Sequence, residues 1–409
     1  MAQPVRRPEQ ILSRSRFELA TPPSRVRPPP KPALIPTARR AVSVDALRGF
    51  AMFWILGGDA LAGALKEMSS GKDEMLAAAG TLVGAQLEHV PWEGVRFYDL
   101  ILPTFIFVVG VSIVFSLTRL VAYEGRAAAH ARVVRRSVLL FVLGLIYYGG
   151  ASHEWPEIRL LGVLPRIALC YLFASLLFLN LGLRGLTVAF VSLLVGYWAL
   201  MTFVPVPGIG AGSFERGANL ANWVDSQFLP GAKWEGTWDP EGLLSTLPAI
   251  ATCLLGVFAG LLLRDPRLDP KQKAVWLIGA GVVMMAAGFL WGLQFPVIKQ
   301  IWTSSFVLVA GGFSAILLGA FHYLADVRGQ RKWSTIFIWI GANAITLYFI
   351  DNVVNFEWFA PRLVGGDISN LLDQHLTQGA GRFVSAVVAL LLAIVLARFL
   401  YRRGIFLRV

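Results

Sequence analysis

The sequence predicts an all-α membrane protein, a bundle of about ten transmembrane helices. Of its 409 residues, 56% are hydrophobic and only 15% are charged, and the mean hydropathy is +0.62. A soluble domain is about a quarter charged. Apolar runs close to the roughly 20 residues that cross a bilayer recur along the chain. Their continuity argues against a transmembrane barrel, whose strands alternate apolar and polar residues.

Ten apolar runs define the predicted spans, and polar segments or tight turns separate them. They cover Val44–Leu65, Asp99–Leu117, Ser137–Gly149, Leu160–Leu181, a fifth run ending near Phe203, Leu243–Leu263, Ala274–Gln294, Ile301–Leu324, Ile336–Val354 and Val384–Leu400. An even number of spans places both ends of the chain on one side. Residues 1–40, rich in proline and arginine, are predicted to form a disordered basic arm, and residues 41–409 the transmembrane domain.

The basic residues indicate which side is cytoplasmic. The arm, four alternate loops and the C-terminal tail hold about 27 of the 37 lysines and arginines, as cytoplasmic segments do. Both termini are therefore predicted to be cytoplasmic, and residues 66–96 to lie outside. The formal charge of +12 follows from this bias, with some attraction of the arm to anionic membrane lipid. Nucleic acid is not an expected partner.

No standard motif for a metal, a nucleotide or a hydrolase stands out. Cys170 and Cys253 both lie in apolar runs, outside any CxxC or Cys/His pattern. They indicate neither a disulfide framework nor a zinc site. Phosphate loops, dinucleotide fingerprints, HExxH pairs and nucleophile elbows do not rise above background. No metal is therefore expected.

His89 is the leading candidate for chemistry. It lies at the edge of the second span, with carboxylates close by in the sequence. Polar groups at a membrane boundary are costly to desolvate, so their clustering suggests a function. An imidazole can take a proton from an amine or hydroxyl, or be acylated itself. The alternative is an interfacial histidine that only forms hydrogen bonds.

Two aspartates are candidates for supporting His89. Asp59 follows two glycines, which allow a helix or ligand to approach the backbone closely. It could orient His89 or hold an ammonium group, or it could be a solvated carboxylate at a helix end. Asp99 begins the second span, where an N-cap role is the simpler interpretation, with support of His89 as an addition.

Aromatic and acidic residues beside the spans are candidates for binding an acceptor. Trp92 and Glu93 could stack on and hydrogen-bond a sugar, although tryptophan is also common at membrane interfaces. Asp239 and Glu241, in the sequence DPEG before the sixth span, fit a turn and helix start. Both acids could also line an outer vestibule.

Polar residues inside or beside the spans suggest a polar interior. Asp45 and Arg48 lie three residues apart, on one helical face, where an ion pair is the default expectation. Arg48 could instead meet an anionic cofactor arriving from the cytoplasm. Arg166 and Asn343 are further polar groups within apolar runs, and such groups commonly mark pathways or sites.

Taken together, the motifs resemble those of the heparan-α-glucosaminide N-acetyltransferase family and its bacterial members. The matching segments, in the family's order, are SVDALRG at Ser43, HVPWEGVRFYDLILPTFIFVVGVSI at His89, RLLGVLPRIALCY at Arg159, FVPVPG at Phe203, DPEG at Asp239, IWTSSFVL at Ile301, GANAITLY at Gly341 and YRRGIFLRV at Tyr401. The resemblance covers nearly everything after residue 40.

The resemblance implies a transmembrane acyltransferase of the bacterial inner membrane. Acetyl-CoA would enter from the cytoplasm, and an amino sugar or sugar hydroxyl on the other side would receive the acetyl group. His89 matches the family's catalytic histidine, as a base or as a transient acetyl-imidazole. Donor contacts are expected at Asp45, Arg48, Arg166 and Asn343. Expected partners are acetyl-CoA, a carbohydrate, membrane lipid and, as an open question, a second copy in a homodimer.

One departure concerns Asp59. It falls where the lysosomal member of the family has an asparagine thought to assist catalysis. An amide can donate to an oxyanion, but an ionised aspartate cannot. We therefore expect Asp59 to orient His89 or to bind the acceptor, and the acceptor need not be heparan sulfate.

Two other functions remain as alternatives. A sugar or proton-coupled transporter without acyl chemistry would use Asp59, Asp99 and Arg166 to line its pathway. A structural or partner-binding membrane subunit would leave the clustered charged residues unexplained. Dependence on an acyl donor distinguishes the enzyme from the transporter.

Overall fold

A computed structural model describes residues 42–69, 74–152 and 154–406. The basic arm predicted for residues 1–40 and the histidine at position 153 lie outside the described residues. Nearly all regular secondary structure in the described residues is helical, as the composition predicts. One very small sheet is present, in which Phe214 pairs with Asn219 and Glu215 with Ala218.

The described elements follow one another closely along the chain. They are α1 (Val42–Ser69), α2 (Glu74–Gln86), α3 (Ile101–Tyr147), α4 (Val163–Asn180), α5 (Leu183–Phe203), β1 (Phe214–Glu215), β2 (Ala218–Asn219), α6 (Leu220–Phe228), α7 (Thr246–Arg264), α8 (Pro270–Gly292), α9 (Ser304–Phe321), α10 (Thr335–Ala342), α11 (Ala344–Val354), α12 (Phe356–Phe359), α13 (Pro361–Val364), α14 (Asp367–His375) and α15 (Ala380–Arg403). A 3₁₀ turn, Phe97–Leu100, precedes α3, and a π-helical turn, His322–Val327, follows α9.

Seven helices of the described chain are long and apolar enough to cross a membrane. The bent pair of α10 and α11 makes eight if it counts as one span. The seven are α3 with its preceding turn, α4, α5, α7, α8, α9 with its π turn, and α15. Helix α1 carries charged residues along its length and is not among them. The prediction of ten spans, and of cytoplasmic termini, stays a prediction.

The basic segment between the second and third predicted spans is helical, which corrects the expected loop. Helix α3 runs through it and breaks only at Gly125, whose φ of 85° and ψ of 174° are non-helical. Glycine adopts such a positive φ without the clash that a Cβ would cause. Beyond the break, Arg136 lies over Tyr171 at 4.8 Å and Gly144 contacts Pro165. The second half of α3 therefore runs antiparallel to α4.

The first half of α3 packs on α7 through glycines. A Cβ placed on Gly110 would overlap the carbonyl of Cys253, and one on Gly256 would overlap the carbonyl of Phe107. Small residues at a helix interface let two backbones approach closely, which is the usual basis of packing between transmembrane helices. This contact fixes α3 against the bundle, and with it the 3₁₀ turn before α3 that carries Asp99.

Several helices begin at the same end of the bundle as α3, and we call this end the His89 face. Arg166, near the start of α4, is fully buried and stacks on the ring of Trp302 at 5.0 Å. The same guanidinium donates to Ser245, just before α7. Trp302 precedes α9 and donates to Thr252 at 3.1 Å. The beginnings of α4, α7 and α9 are thereby tied together.

Substitution of Gly110 tests the glycine contact. Gly110→Ala should destabilise the protein by at least about 2 kcal/mol, because the overlapping atom belongs to the backbone of α7 and cannot rotate away. Gly279→Ala, on α8, is the matched control, since its new Cβ would meet nothing within 4 Å. Thermal melting in detergent measures both variants. Equal melting temperatures for the two would contradict the proposed packing.

Candidate active site

The segment that carries His89 is docked on the chain just before α9. The amide of Gly94 donates to the carbonyl of Val297 at 2.8 Å. The side-chain amide of Gln300 donates to the carbonyl of Val90 at 2.9 Å. These bonds satisfy backbone groups of a loop that has no helix or sheet of its own. They hold His89 at a fixed position over the end of the bundle.

Asp99 is the carboxylate that holds His89. Its Oδ1 lies 2.8 Å from Nδ1 of the imidazole. Its Oδ2 accepts hydrogen bonds from the amides of Val90, at 3.2 Å, and Arg96, at 3.1 Å. The expected N-cap role is therefore corrected: Asp99 is the third residue of a 3₁₀ turn, and its carboxylate folds back to the residue before that turn. One side chain thus fixes both the loop and the ring.

The contact with Asp99 favours one tautomer of His89. A carboxylate only accepts, so in the neutral ring Nδ1 carries the hydrogen and Nε2 keeps the lone pair. The side chain of Asp99 is 1% exposed, whereas that of His89 is 47% exposed. The ring also lies against Tyr98, with 4.7 Å between centroids. A buried carboxylate behind an accessible imidazole is the arrangement of a general base.

Lys299 completes the cluster, and no sequence motif pointed to it. Its Nζ lies 3.1 Å from Nε2 and 2.8 Å from Nδ1 of His89, and 3.5 Å from Oδ1 of Asp99. Burial lowers the pKa of Lys299, and the carboxylates of Asp99, Glu241 and Asp59 oppose that effect. The available signal was its place two residues before the IWTSSFVL motif, in a segment with few basic residues.

Asp59 lies beside Tyr98, not beside His89. Its carboxylate interacts with the Tyr98 hydroxyl. A Cβ on Gly58 would overlap the Tyr98 ring, so the glycine before Asp59 does permit a close approach. The expectation that Asp59 orients His89 is corrected, because Asp99 occupies that position. A role for Asp59 toward an acceptor stays a prediction.

The two acids of the DPEG sequence are held by Arg159. Its guanidinium donates to both oxygens of Asp239 and to Glu241, each at 2.7 Å. All three side chains are buried. Asp239 and Glu241 therefore form a buried ion network, instead of lining an open vestibule as unpaired acids. Arg159 also lies over the ring of Trp234 at 5.1 Å.

Trp92 and Glu93 differ in what they offer to a ligand. The Trp92 indole donates to the carbonyl of Phe214 at 2.9 Å and packs edge-on against Trp238, which is buried. Its polar edge is thus engaged by the protein. Glu93 forms an antiparallel bridge with Ile298 through its backbone, and its side chain is exposed. Glu93 is the freer of the two to face an acceptor.

Three of the four expected donor residues lie together, near the start of α1. The Asp45–Arg48 ion pair is confirmed, at 3.3 Å. Arg48 also donates to Ser112 at 2.7 Å and to the carbonyl of Gly341 at 3.3 Å. Asn343 lies two residues after Gly341, at the 76° bend between α10 and α11.

Asn343 and Arg166 differ in their surroundings. The Asn343 side chain is buried, and neither of its polar atoms has a hydrogen-bond partner among the described residues. Such a group costs about 1–3 kcal/mol of stability, so an amide left in this state is a candidate for binding a ligand. Arg166 belongs to the His89 face and does not join this group. Within the described ranges, no three His, Cys, Asp or Glu side chains are close enough to hold a metal.

Asp225 organises the chain around the Arg159 network. Its Oδ1 accepts from the amide of Leu243 at 2.8 Å, and its Oδ2 from that of Asp239 at 3.3 Å. The carboxyl is buried, and burial raises its pKa to about 6. The folded protein therefore binds a proton there more tightly than the unfolded chain does.

The raised pKa of Asp225 predicts a pH effect on stability. As pH falls from 7 to 5, the folded state gains the proton first, so the wild type should gain about 1 kcal/mol of stability relative to Asp225→Asn. Melting temperatures of both proteins at pH 7 and pH 5 measure this difference. Because the asparagine does not titrate, other groups cancel in the comparison. A difference that stays constant with pH would contradict the assignment.

Comparison with known proteins gives two relatives and no matching family model. Heparan-alpha-glucosaminide N-acetyltransferase of Homo sapiens is 27% identical over 78% of this chain and 55% of that protein. The Mus musculus protein of the same name is 25% identical over 78% of this chain and 56% of that protein. The chain spans about half the length of the curated relatives it matches. It is a distant relative of the heparan-alpha-glucosaminide N-acetyltransferases.

Proposed function

We propose that this chain is a transmembrane acetyltransferase that moves an acetyl group from acetyl-CoA to the amine or hydroxyl of a sugar. The observation that carries the proposal is the pairing of the accessible His89 imidazole with the buried Asp99 carboxylate, 2.8 Å apart. The activity in the name of the two relatives supports the same chemistry. The acceptor is taken to bind at the His89 face, on the extracytoplasmic side.

His89 acts as the base. Its Nε2 takes the proton from the acceptor amine or hydroxyl as that group attacks the thioester carbon. Asp99 stabilises the imidazolium that forms and keeps Nδ1 protonated, so that Nε2 is the nitrogen that reacts. The proton then passes from Nε2 to the departing CoA sulfur. Acetyl-sugar and free CoA result, and His89 returns to its neutral state.

The donor is taken to bind between the start of α1 and the His89 face. Arg48 and Asp59 are eleven residues apart on α1, about 16 Å along a helix with a rise of 1.5 Å per residue. An extended pantetheine arm can span that distance. Arg48 suits a phosphate of CoA, and the Asn343 amide suits an amide of the arm. Arg166, on the His89 face, would lie toward the acetyl end.

Replacement of His89 tests the base. His89→Ala should lower kcat/KM by about 10²–10⁴-fold, the usual contribution of a general base, because the acceptor proton loses the imidazole that takes it. Binding of acetyl-CoA should stay within about threefold, measured by calorimetry on detergent-purified protein. His375→Ala is the matched control, since His375 is exposed and bonds within its own helix α14.

Three outcomes would change the proposal. Full activity of His89→Ala with an acceptor that the wild type acetylates would remove it from the reaction. Uptake of sugar into vesicles without any acyl donor would favour a transporter. Recovery of a stable acetyl-imidazole on His89 would replace direct transfer by a two-step route.

Replacement of Asn343 tests the donor site. Asn343→Leu should weaken acetyl-CoA binding by at least tenfold, because the pantetheine arm loses its amide partner. The same change should raise the melting temperature, since it removes two buried polar atoms without partners. Calorimetry and thermal melting give the two results on one sample. Lower stability with unchanged binding would mean that the amide serves the bend between α10 and α11 and not the donor.

A further inference from the structure

We propose that the ammonium group of Lys299 stabilises the oxyanion of the acyl-transfer step. The inference rests on the proposed function and names an additional catalytic residue for the same site. The tetrahedral intermediate of acyl transfer places a negative charge on the former carbonyl oxygen of the acetyl group. A cation or hydrogen-bond donor positioned at that oxygen lowers the barrier, often more than any other single feature of a site.

The position of Lys299 suits this role. Its Nζ lies over the imidazole edge, 2.8 Å from Nδ1 and 3.1 Å from Nε2 of His89, and Nε2 is the nitrogen that takes the acceptor proton. The reacting carbon has to lie close to the acceptor atom that donates to Nε2, so the carbonyl oxygen falls within reach of the same ammonium. Lys299 carries three donors on a flexible stem. One of them can leave Nε2 for the carbonyl oxygen when the acceptor arrives.

The other donors around His89 are engaged elsewhere. The Tyr98 hydroxyl interacts with Asp59. The amide of Val90 donates to Asp99, and the side chain of Gln300 donates to backbone carbonyls of the His89 loop. Among the described residues in contact with the imidazole, Lys299 is thus the cation with donors to spare. Asp59 cannot donate a hydrogen bond to the oxyanion, since an ionised carboxylate only accepts.

The surroundings of Lys299 prepare it for a developing negative charge. The side chain is 17% exposed, so water solvates the ammonium only in part. Burial disfavours the charge, while Asp99 from the turn before α3, Glu241 from before α7 and Asp59 from α1 favour it. Charge–charge interactions are stronger in such a partly desolvated site than in water. An oxyanion next to Nζ would therefore gain more stabilisation there than at the surface.

The step balances without a further reactant. The acceptor nitrogen or oxygen forms a bond to the thioester carbon while its proton moves to Nε2 of His89. The carbonyl electrons move to the oxygen, which Lys299 holds by an N–H···O⁻ bond. The intermediate then reforms the carbonyl, the C–S bond breaks, and the sulfur takes the proton from Nε2. Lys299 ends in the state in which it began.

The test compares Lys299→Met, Lys299→Gln and Lys299→Arg with the wild type and with Lys271→Met. Lys271 is an exposed lysine at the other end of the bundle, in the first turn of α8.

Lys299→Met and Lys299→Gln should each lower kcat by about 10²–10³-fold, the cost of removing one oxyanion donor. The dissociation constant of acetyl-CoA and the KM of the acceptor should change by less than about threefold. Lys299→Arg keeps the positive charge, so its kcat should be at least tenfold higher than that of the neutral variants. Lys271→Met should match the wild type.

The outcomes separate the inference from the function on which it rests. A kcat for Lys299→Met or Lys299→Gln within threefold of wild type, with His89→Ala inactive, would overturn the role of Lys299 and leave the acetyltransferase standing. A raised KM at unchanged kcat would also overturn it, because Lys299 would then only bind the acceptor. Absence of acetyl transfer by the wild type to every amino sugar and every sugar hydroxyl offered would overturn both. Of Lys299→Met and Lys299→Gln, the variant that binds acetyl-CoA as tightly as the wild type is the one whose kcat tests the role of Lys299.

Discussion

Compensation of buried charge at the His89 face is the constraint on which the rest of the structure depends. Asp99 and Arg159 are both largely removed from water, and each is costly to bury without a partner. The structure gives Asp99 an imidazole, an ammonium and two backbone amides, and it gives Arg159 two carboxylates. Lys299 comes from the chain before α9, and the two carboxylates that pair with Arg159 come from the chain before α7. Helices α4, α7 and α9 must therefore begin at the same end of the bundle as α3.

The apolar body of the bundle makes this meeting of charges rigid. Glycines at the contact of α3 and α7 bring two backbones together, and buried Trp302 ties the starts of α4, α7 and α9. A small displacement of α3 would move Asp99, and with it the His89 ring. The positioning of a catalytic base to within a fraction of an ångström thus depends on residues with no chemical role of their own.

Sequence alone predicted the helical class and the central histidine, and the reasons are physical. Apolar runs report burial or lipid contact directly, and His89 stood out because costly polar groups surrounded it. The prediction of a loop before the third span was wrong. Charged residues do not end a helix, and α3 is broken only at Gly125. The choice of Asp99 over Asp59 depended on a 3₁₀ turn that folds the carboxylate backwards. Lys299 lies 210 positions from His89, so no local spacing could have paired them.

A structure of the protein with acetyl-CoA bound tests the central claim most directly. The account predicts that the acetyl group lies at the His89 face, with its carbonyl oxygen within hydrogen-bond distance of Nζ of Lys299. The CoA nucleotide should lie toward Arg48, at the other end of α1. An acetyl group held near Arg48, or a CoA bound away from both sites, would contradict the assignment of this face as the place where the acyl group is transferred.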